Sequence, residues 1–358
     1  MKPFFDFLFK NKRHVATMAL VFGFVVDLIT FRSIDLSLSQ IILSVHLVIL
    51  AVSIYILSIP LGQGRVINFL HSWLPVLLQY STGNLLSAFL ILYSGSGSLI
   101  QSWPFFVLLS IAVIGNETLR LDTYLLPFRT TLFFLNLLLF SALSVPIFVH
   151  SINAWSFALS VAVATTFFLT YIYFGRFTLA HSFGQRFSRI RKSAFAILCI
   201  FVFLYFANLI PPIPLSLKDI GFYHNVYKTG DTYIGIDEKR PVLERFLSLS
   251  GVTLRVSEGG SAYVYTAVFA PADIGTSVVH RWQRYAPEFG EWQTENVVPF
   301  PIVGGRAGGY RGYSFTEDPE AGRWRVLVET KREQIIGRAY LTIERPTKST
   351  LYSEHLLD

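Results

Sequence analysis

The sequence has little charge and almost no cysteine, and each shortage excludes a class of protein. Charged residues make up 15% of the 358 residues, well below the roughly one quarter that is usual in soluble globular domains. The hydrophobic share of 52% and the mean hydropathy of +0.49 indicate instead that much of the chain is dissolved in a lipid bilayer. The single cysteine, Cys199, excludes an intrachain disulfide, so an exported domain would be held together by its core alone.

Positive charge is in excess only in the hydrophobic half of the chain. Residues 1–212 carry 13 Lys and Arg against 5 Asp and Glu, whereas residues 213–358 carry 17 against 18. Apolar runs long enough to span a bilayer number about seven. They lie near 15–31, 40–60, 74–94, 100–116, 129–149, 155–175 and 193–211.

The basic residues also predict the orientation of these spans. With loops assigned to alternate sides, twelve basic residues fall on one side and only Arg32 on the other. Because cytoplasmic loops retain positive charge, we expect the N-terminus in the cytoplasm and the chain after Pro211 on the far side. The topology accounts for the basic excess, and since no nucleic-acid-binding module is present, nucleic acid is not expected as a partner.

Several polar residues lie within or at the ends of the predicted spans, where burial in hydrocarbon is costly unless they are paired or hydrated. The candidates are Asp27, His46, Gln79, Asn84 and Glu117. Two interpretations remain open. The side chains either line a substrate path or hold helices together through interhelical hydrogen bonds, which are worth roughly 1 kcal/mol each.

Beyond the last apolar run the hydrophobic period falls to two. About seven short alternating segments, separated by Gly, Pro, Asp or Glu, predict an antiparallel β-sandwich. The segments are VTLRVSE, SAYVYTAVF, SVVHRWQRY, TENVVPFPIV, GYRGYSF, GRWRVLVET and EQIIGRAYLTIE. Alternation places Trp282 and Trp324 in the core between the sheets and makes His280, on the Trp282 face, a hydrogen-bonded core or edge residue.

These patterns predict a membrane α-helical bundle of about seven transmembrane helices, followed by an all-β immunoglobulin-like sandwich domain. The expected segments are a cytoplasmic basic or interfacial segment at 1–14, a transmembrane domain at 15–211, a linker at 212–250 with a short helix at 238–250, the sandwich at 251–346 and a tail at 347–358.

Basic and aromatic residues of the strands define a candidate binding surface for an anionic glycan or a lipid headgroup. Its members are His280, Arg281, Arg306, Arg311, Tyr313, Arg323 and Arg325. The competing interpretation is that these arginines pair with nearby Asp and Glu residues, because this half of the chain has a net charge near zero.

Signals for chemistry are weak. His280, Ser314 and Asp318 could be written as a triad, but no G-x-S-x-G turn precedes the serine, so no catalytic residue is predicted. The histidines have no spacing typical of a metal site. GGRAGGYRGYS matches no phosphate-binding loop, and its glycines favour a bulge or turn, so no cofactor is expected.

The C-terminal residues resemble, in order and spacing, the bacterial domain of unknown function 2914. The resemblance is carried by HRW, GGR, GYRGYS, GRWRV, VET and QIIGR, and the membrane half resembles the helices that precede that domain, through GFVVDLITFRSID, GNLLSAFLILYSGS, SWPFFVLL and GNETLR. One departure is Glu333, where a glycine is frequent. The resemblance implies an inner-membrane protein with a periplasmic C-terminal domain, and it implies no activity.

The expected function is therefore display of a periplasmic binding or assembly module, with envelope proteins, glycans or anionic lipid as partners besides the bilayer itself. One alternative is a membrane-embedded transporter or enzyme with the sandwich as a regulatory cap. Another is a purely structural scaffold.

Overall fold

A computed structural model describes residues 36–60, 65–96, 101–118, 125–212, 214–230, 232–238, 252–270, 276–302, 310–346 and 352–357. The chain divides into two compact units. The first is helical and ends at Ile210, and the second is rich in strands and begins at Pro211, with the short connections at 95–101 and 150–152 assigned to it.

Six α-helices and one π-helical turn form the described part of the helical unit. They are α1 (Leu36–Leu57), α2 (Arg65–Ser94), α3 (Trp103–Thr118), α4 (Leu125–Phe148), α5 (Ala154–Thr178), the π-helical turn Ala180–Gly184 and α6 (Gln185–Phe206). Each of the six α-helices covers or overlaps one of the predicted apolar runs from 40–60 onward, and the predicted run 15–31 lies outside the described residues.

Four of the described helices are long and apolar enough to cross a membrane. The stretches concerned are Leu38–Leu57, Trp73–Ser94, Leu126–Phe148 and Ala154–Thr178, and Trp103–Asn116 is a shorter apolar helix. The basic first turns of α6 keep it outside this group, because charge at membrane depth is unfavourable. The predicted number of about seven transmembrane helices is therefore not confirmed.

The helices carry large apolar side chains on both their inner and outer sides. Leu50, Leu85 and Leu139 are fully buried between helices. Phe167 and Phe177 of α5 are nevertheless 68% and 88% exposed. A helix that is apolar all round is typical of a chain surrounded by hydrocarbon, because water would select polar residues on the outer face.

Eleven described strands form the second unit. They are β1 (Ser216–Tyr223), β2 (Asn225–Thr229), β3 (Thr232–Glu238), β4 (Val252–Arg255), β5 (Ser261–Phe269), β6 (Thr276–Ala286), β7 (Glu291–Ile302), β8 (Tyr310–Glu317), β9 (Gly322–Thr330), β10 (Ile335–Glu344) and β11 (Tyr352–Leu357). They make a three-stranded sheet in the order β1-β5-β8, a five-stranded sheet in the order β4-β10-β9-β6-β7 and a second three-stranded sheet in the order β11-β3-β2.

The β1-β5-β8 and five-stranded sheets pack face to face. Their core contains Trp282 and Trp324 in edge-to-face contact, with Val264 and Phe222 from the opposite sheet. The predicted placement of both tryptophans between the sheets is thus confirmed. Among the described strands, β4 and β10 pair in parallel and the other pairs are antiparallel, so the sheet differs from the wholly antiparallel sandwich expected.

The alternation of apolar and polar residues did not predict four of the strands. No strand was predicted in 212–250 or 347–358, yet β1, β2 and β3 lie in the first range and β11 in the second. The β11-β3-β2 sheet covers the outer face of β5, where Val226 and Leu357 pack on the fully buried Tyr265. Glu238, the first residue of the predicted helix at 238–250, ends β3, and the rest of that segment lies outside the described residues.

Candidate binding site

The outward face of the five-stranded sheet brings arginines and aromatic residues together. Residues directly opposite each other in neighbouring strands share a face. In this sheet Arg325 of β9 lies opposite both Tyr340 of β10 and Gln283 of β6. We call the set Arg323, Arg325, Arg338, Tyr285, Trp292 and Tyr340 the arginine–aromatic face.

Aromatic rings order the two arginines of β9. The Arg325 guanidinium carbon lies 4.4 Å from the centroid of the Trp292 ring, and Arg325 Nε donates a 2.7 Å hydrogen bond to Gln283 Oε1. The Arg323 guanidinium carbon lies 5.3 Å from the centroid of the Tyr285 ring. A guanidinium stacked in this way keeps its remaining N–H groups directed outward at its edge, where an anion can accept two of them at once.

The rings form a continuous row beneath these cations. Tyr285 and Trp292 have centroids 5.3 Å apart, and Trp292 and Tyr340 have centroids 5.9 Å apart. The hydrogen bond with Arg338, helped by the positive charges of Arg338 and Arg325, lowers the pKa of the Tyr340 phenol. The phenol oxygen is therefore held between two cations.

The carboxylates on this side of the sheet form ion pairs with Arg281 instead of with Arg323 or Arg325. Glu329 accepts hydrogen bonds from Arg281 at 2.7 Å, and Glu333 lies 3.0 Å from the same guanidinium. Burial raises the pKa of Glu329, and the ion pair with Arg281 opposes that shift. Within the part of the chain that the structure describes, Arg323 and Arg325 form no ion pair with a carboxylate.

Arg281 is thus a structural residue more than a binding one. Its partner Glu329 is buried, and removing the guanidinium would leave a buried carboxylate without its cation.

His280 was a member of the predicted binding surface, and that assignment is wrong because the side chain is fully buried. Its Nε2 lies 2.9 Å from Thr266 Oγ1, and its Nδ1 lies 2.9 Å from Ser314 Oγ. Ser314 Oγ also accepts the Trp282 indole N–H at 3.0 Å. The prediction of a hydrogen-bonded core histidine is confirmed.

This cluster lacks the features of a catalytic triad. Burial lowers the pKa of His280 to about 3, so the imidazole is a weak base near neutral pH. The Asp318 carboxylate accepts hydrogen bonds from the Gly259 backbone N–H and from Arg345 instead of approaching His280.

The remaining predicted surface residues lie elsewhere. Arg311 and Tyr313 are on β8, whose outward side is the other face of the sandwich, and Tyr313 contacts Tyr263 there with ring centroids 6.2 Å apart. Arg306 lies outside the described residues. Of the seven predicted residues, only Arg323 and Arg325 therefore belong to the arginine–aromatic face.

Two of the predicted polar residues of the helices contact each other. Asn84 Nδ2 lies 3.2 Å from His46 Nε2, and His46 Nδ1 lies 2.9 Å from the Ile42 carbonyl oxygen. Gln79 uses its backbone oxygen to accept a 3.2 Å hydrogen bond from Asn116. Asp27 lies outside the described residues, as does the side chain of Glu117 on α3.

No group of three or more His, Cys, Asp or Glu residues that could hold a metal ion occurs among the described residues. The sequence alone did not predict that Arg338 and the aromatic residues belong to the arginine–aromatic face. Alternation alone puts Tyr285 on the face of Arg281 and Tyr340 on the face of Arg338, but the order of strands in the sheet was needed to join them.

Residues 275–343 match the family described as a protein of unknown function, DUF2914. The match lies in the C-terminal region, spans β6 to β10 and confirms the resemblance found in the sequence. No curated protein matches the chain by sequence.

Similar solved structures include an immunoglobulin-like protein from Pseudomonas aeruginosa, at 10% identity over 37% of this chain and 98% of that chain, with a TM-score of 0.21. A β-glucosidase from Listeria innocua is 12% identical over 33% of this chain and 17% of its own, with a TM-score of 0.19. The alkylpurine DNA glycosylase of Pseudomonas fluorescens is 12% identical over 80% of this chain and 83% of its own, with a TM-score of 0.22. At such scores these likenesses carry no argument. The order of elements in the structure confirms the coarser prediction of a helical region followed by a β-rich domain.

Proposed function

We propose that this chain is a multi-pass protein of the bacterial inner membrane that displays its C-terminal DUF2914 domain in the periplasm as a binding or assembly module. The N-terminus would be cytoplasmic, and the partners would be components of the cell envelope. The observation that carries the proposal is the arginine–aromatic face, where Arg323 and Arg325 are ordered by rings and are without carboxylate partners among the described residues.

Membrane insertion is supported by the composition of the helices. Four of them are apolar over a spanning length, and α5 directs large apolar side chains outward. The orientation follows from the basic residues of the loops, because twelve of thirteen in residues 1–212 fall on one side of about seven spans.

A binding role is supported by the lack of carboxylate partners for Arg323 and Arg325 among the described residues. Surface arginines usually lie near acidic residues, and such pairs contribute roughly 0–1 kcal/mol to stability. Arg323 and Arg325 are stacked on aromatic rings while the carboxylates of Glu329 and Glu333 pair with Arg281, so among the described residues the two cations of β9 keep positive charge that no carboxylate neutralises. Charge of this kind favours the approach and selection of an anionic partner.

Reporter fusions test the topology. A reporter that is active only in the cytosol should remain silent when fused after Asp358 or at Gly95 and become active when fused at Phe183. A periplasm-active reporter should give the opposite pattern. Cytosolic activity after Asp358 would overturn the proposal.

A crosslinking experiment in cells tests the binding role. A photocrosslinking residue replacing Thr294, beside Trp292 and Gln283, should capture an envelope component, whereas the same residue at Glu317 on the other sheet should not capture it. Equal capture at both positions would contradict a role for this face.

The alternative of a transporter or enzyme within the helices has no comparable support from the described residues. His46 and Asn84, which could have lined a path, bond to each other between α1 and α2. Such a contact is typical of the hydrogen bonds that join helices in a bilayer.

A further inference from the structure

We infer that the arginine–aromatic face binds an extended glycan chain carrying carboxylate groups, such as a polymer of uronic acids. The inference rests on the proposed function in that the glycan would be an envelope component reached from the periplasm. The binding geometry itself can be tested on the purified chain, whatever its orientation in the cell.

The positions of the cations fit a chain better than a single small anion. Arg323 and Arg325 are two residues apart on β9, which separates them by about 7 Å along the strand. Two cations separated in this way on an open sheet face suit a ligand with repeated negative groups more than one small anion.

The chemistry of the arginines favours carboxylate. Arg325 is stacked on Trp292 and tied to Gln283, whose own Nε2 donates to Thr294 Oγ1 at 3.0 Å. The guanidinium is thus positioned before a ligand arrives, and a planar, fixed guanidinium suits bidentate binding of a carboxylate. Ordering in advance also lowers the entropic cost of binding.

The aromatic row supplies the apolar part of a sugar-binding surface. Tyr340 is 40% exposed, and it lies beside Trp292 on the same face. Tyrosine and tryptophan combine an apolar ring with a polar edge, as do the faces and hydroxyl rims of sugar rings.

Neighbouring acidic residues do not cancel the charge. Glu344 lies 3.8 Å from Arg255 at one edge of the sheet, and Glu295 and Glu320 both pair with Arg284. Glu291 follows the tip of the β6–β7 hairpin and lies opposite Ala286, whose side chain is buried on the inward side. The outward face of β9 therefore keeps Arg323 and Arg325 available.

The test uses the full chain in nanodiscs of phosphatidylcholine. An oligomer of galacturonic acid is titrated in, and a glucose oligomer of the same length serves as the uncharged probe. We expect the uronic acid oligomer to bind, the glucose oligomer to bind at least tenfold more weakly, and the affinity for the uronic acid oligomer to fall as salt is raised.

Matched variants locate the site. Arg323→Gln and Arg325→Gln should each weaken binding about tenfold, because a hydrogen-bonded contact to a charged group contributes on that order. Arg311→Gln removes the same charge from β8 and should change the affinity less than twofold. Trp292→Leu keeps every charge and should still weaken binding, because it removes the ring that holds Arg325.

Three results would overturn the inference. The first is equal binding of the glucose oligomer, and the second is an effect of Arg311→Gln as large as that of Arg323→Gln. The third is binding to nanodiscs containing phosphatidylglycerol without binding to the uronic acid oligomer, which would make the occupant a lipid headgroup. Because the Arg323 side chain is exposed, Arg323→Gln should leave the fold intact, so weaker binding by this variant reports on the site and not on unfolding. A negative binding result with the expected reporter pattern would remove this inference alone and leave the topology of the proposed function standing.

Discussion

Acid should weaken the β-rich unit through one buried imidazole, that of His280. Its pKa is lowered from 6.5 to about 3 by burial. Between these values the unfolded chain binds a proton that the folded chain does not bind. The contribution of His280 to the free energy of unfolding should therefore be largest above pH 6.5 and should fall by about 1.4 kcal/mol per pH unit as the pH is lowered towards 3.

The assay is hydrogen exchange of the β6 and β8 amides in the full-length protein between pH 4.5 and 7, corrected for the intrinsic pH dependence of exchange. His280→Gln keeps a polar side chain that does not titrate in this range. Its slope of stability against pH should be smaller than that of the wild type by about 1.4 kcal/mol per unit. Glu329, whose pKa is raised by burial, contributes with the opposite sign in both proteins and cancels in the comparison.

Equal slopes in the wild type and His280→Gln would refute the reasoning, because the proton taken up on unfolding would then belong to another group. The comparison does not depend on how much the substitution itself changes the stability at neutral pH. Thr316→Val, on the same strand and inward face as Ser314, serves as the control and should keep the wild-type slope.

Three further changes test the side-chain packing and the turns of the strand-rich unit. Ser314→Ala leaves the Trp282 indole N–H without its acceptor and should cost about 1–3 kcal/mol in the same exchange assay, against less than about 1 kcal/mol for Thr316→Val. Glu333 has a φ of 62°, so Glu333→Gly should be neutral or stabilising in thermal unfolding while the β-branched Glu333→Val should cost about 1–2 kcal/mol. Gly235→Ala would put a Cβ 2.6 Å from the Tyr223 ring and should raise exchange in β3 without affecting β9, and unchanged exchange in β3 would contradict this packing.

The strands of the C-terminal unit were predictable where alternation was clean. GRWRVLVET alternates arginine with tryptophan and valine, and β9 buries Trp324, Val326 and Val328 as expected. β1 was missed because SLKDIGFY puts Lys218 and Asp219 side by side at a register shift in the pairing with β5. Such a bulge breaks the period of two on which strand prediction depends.

The sequence departs from the DUF2914 pattern at Glu333, and the structure explains why a glycine is frequent at this position. Glu333 adopts a left-handed backbone conformation in the turn before β10, and glycine is the residue that enters this conformation without steric cost. In this chain the glutamate carboxylate contacts Arg281, so the turn keeps a side chain that pairs with a neighbouring arginine.

The arginine–aromatic face could be predicted only in part, since its geometry depends on pairing between distant strands. β6 and β9 are neighbours in the sheet although β7 and β8 separate them in the chain. From the sequence alone, Arg323 and Arg325 of β9 were therefore expected to lie with Arg311 and Tyr313, which are on the other sheet. No local pattern distinguishes the two outward faces, because each alternates polar and aromatic residues.

The two units differ in whether their polar side chains are paired with one another. In the helical unit His46 bonds to Asn84, and Thr131 of α4 lies 2.6 Å from Ser193 of α6. These groups satisfy one another between helices, as an apolar surrounding requires. On the outward face of β9 the arginines are held by rings and by an amide, neither of which neutralises a cation. A charge that folding orders but does not pair keeps its capacity to bind an anion, and this contrast supports the proposal that the five-stranded sheet carries the binding site.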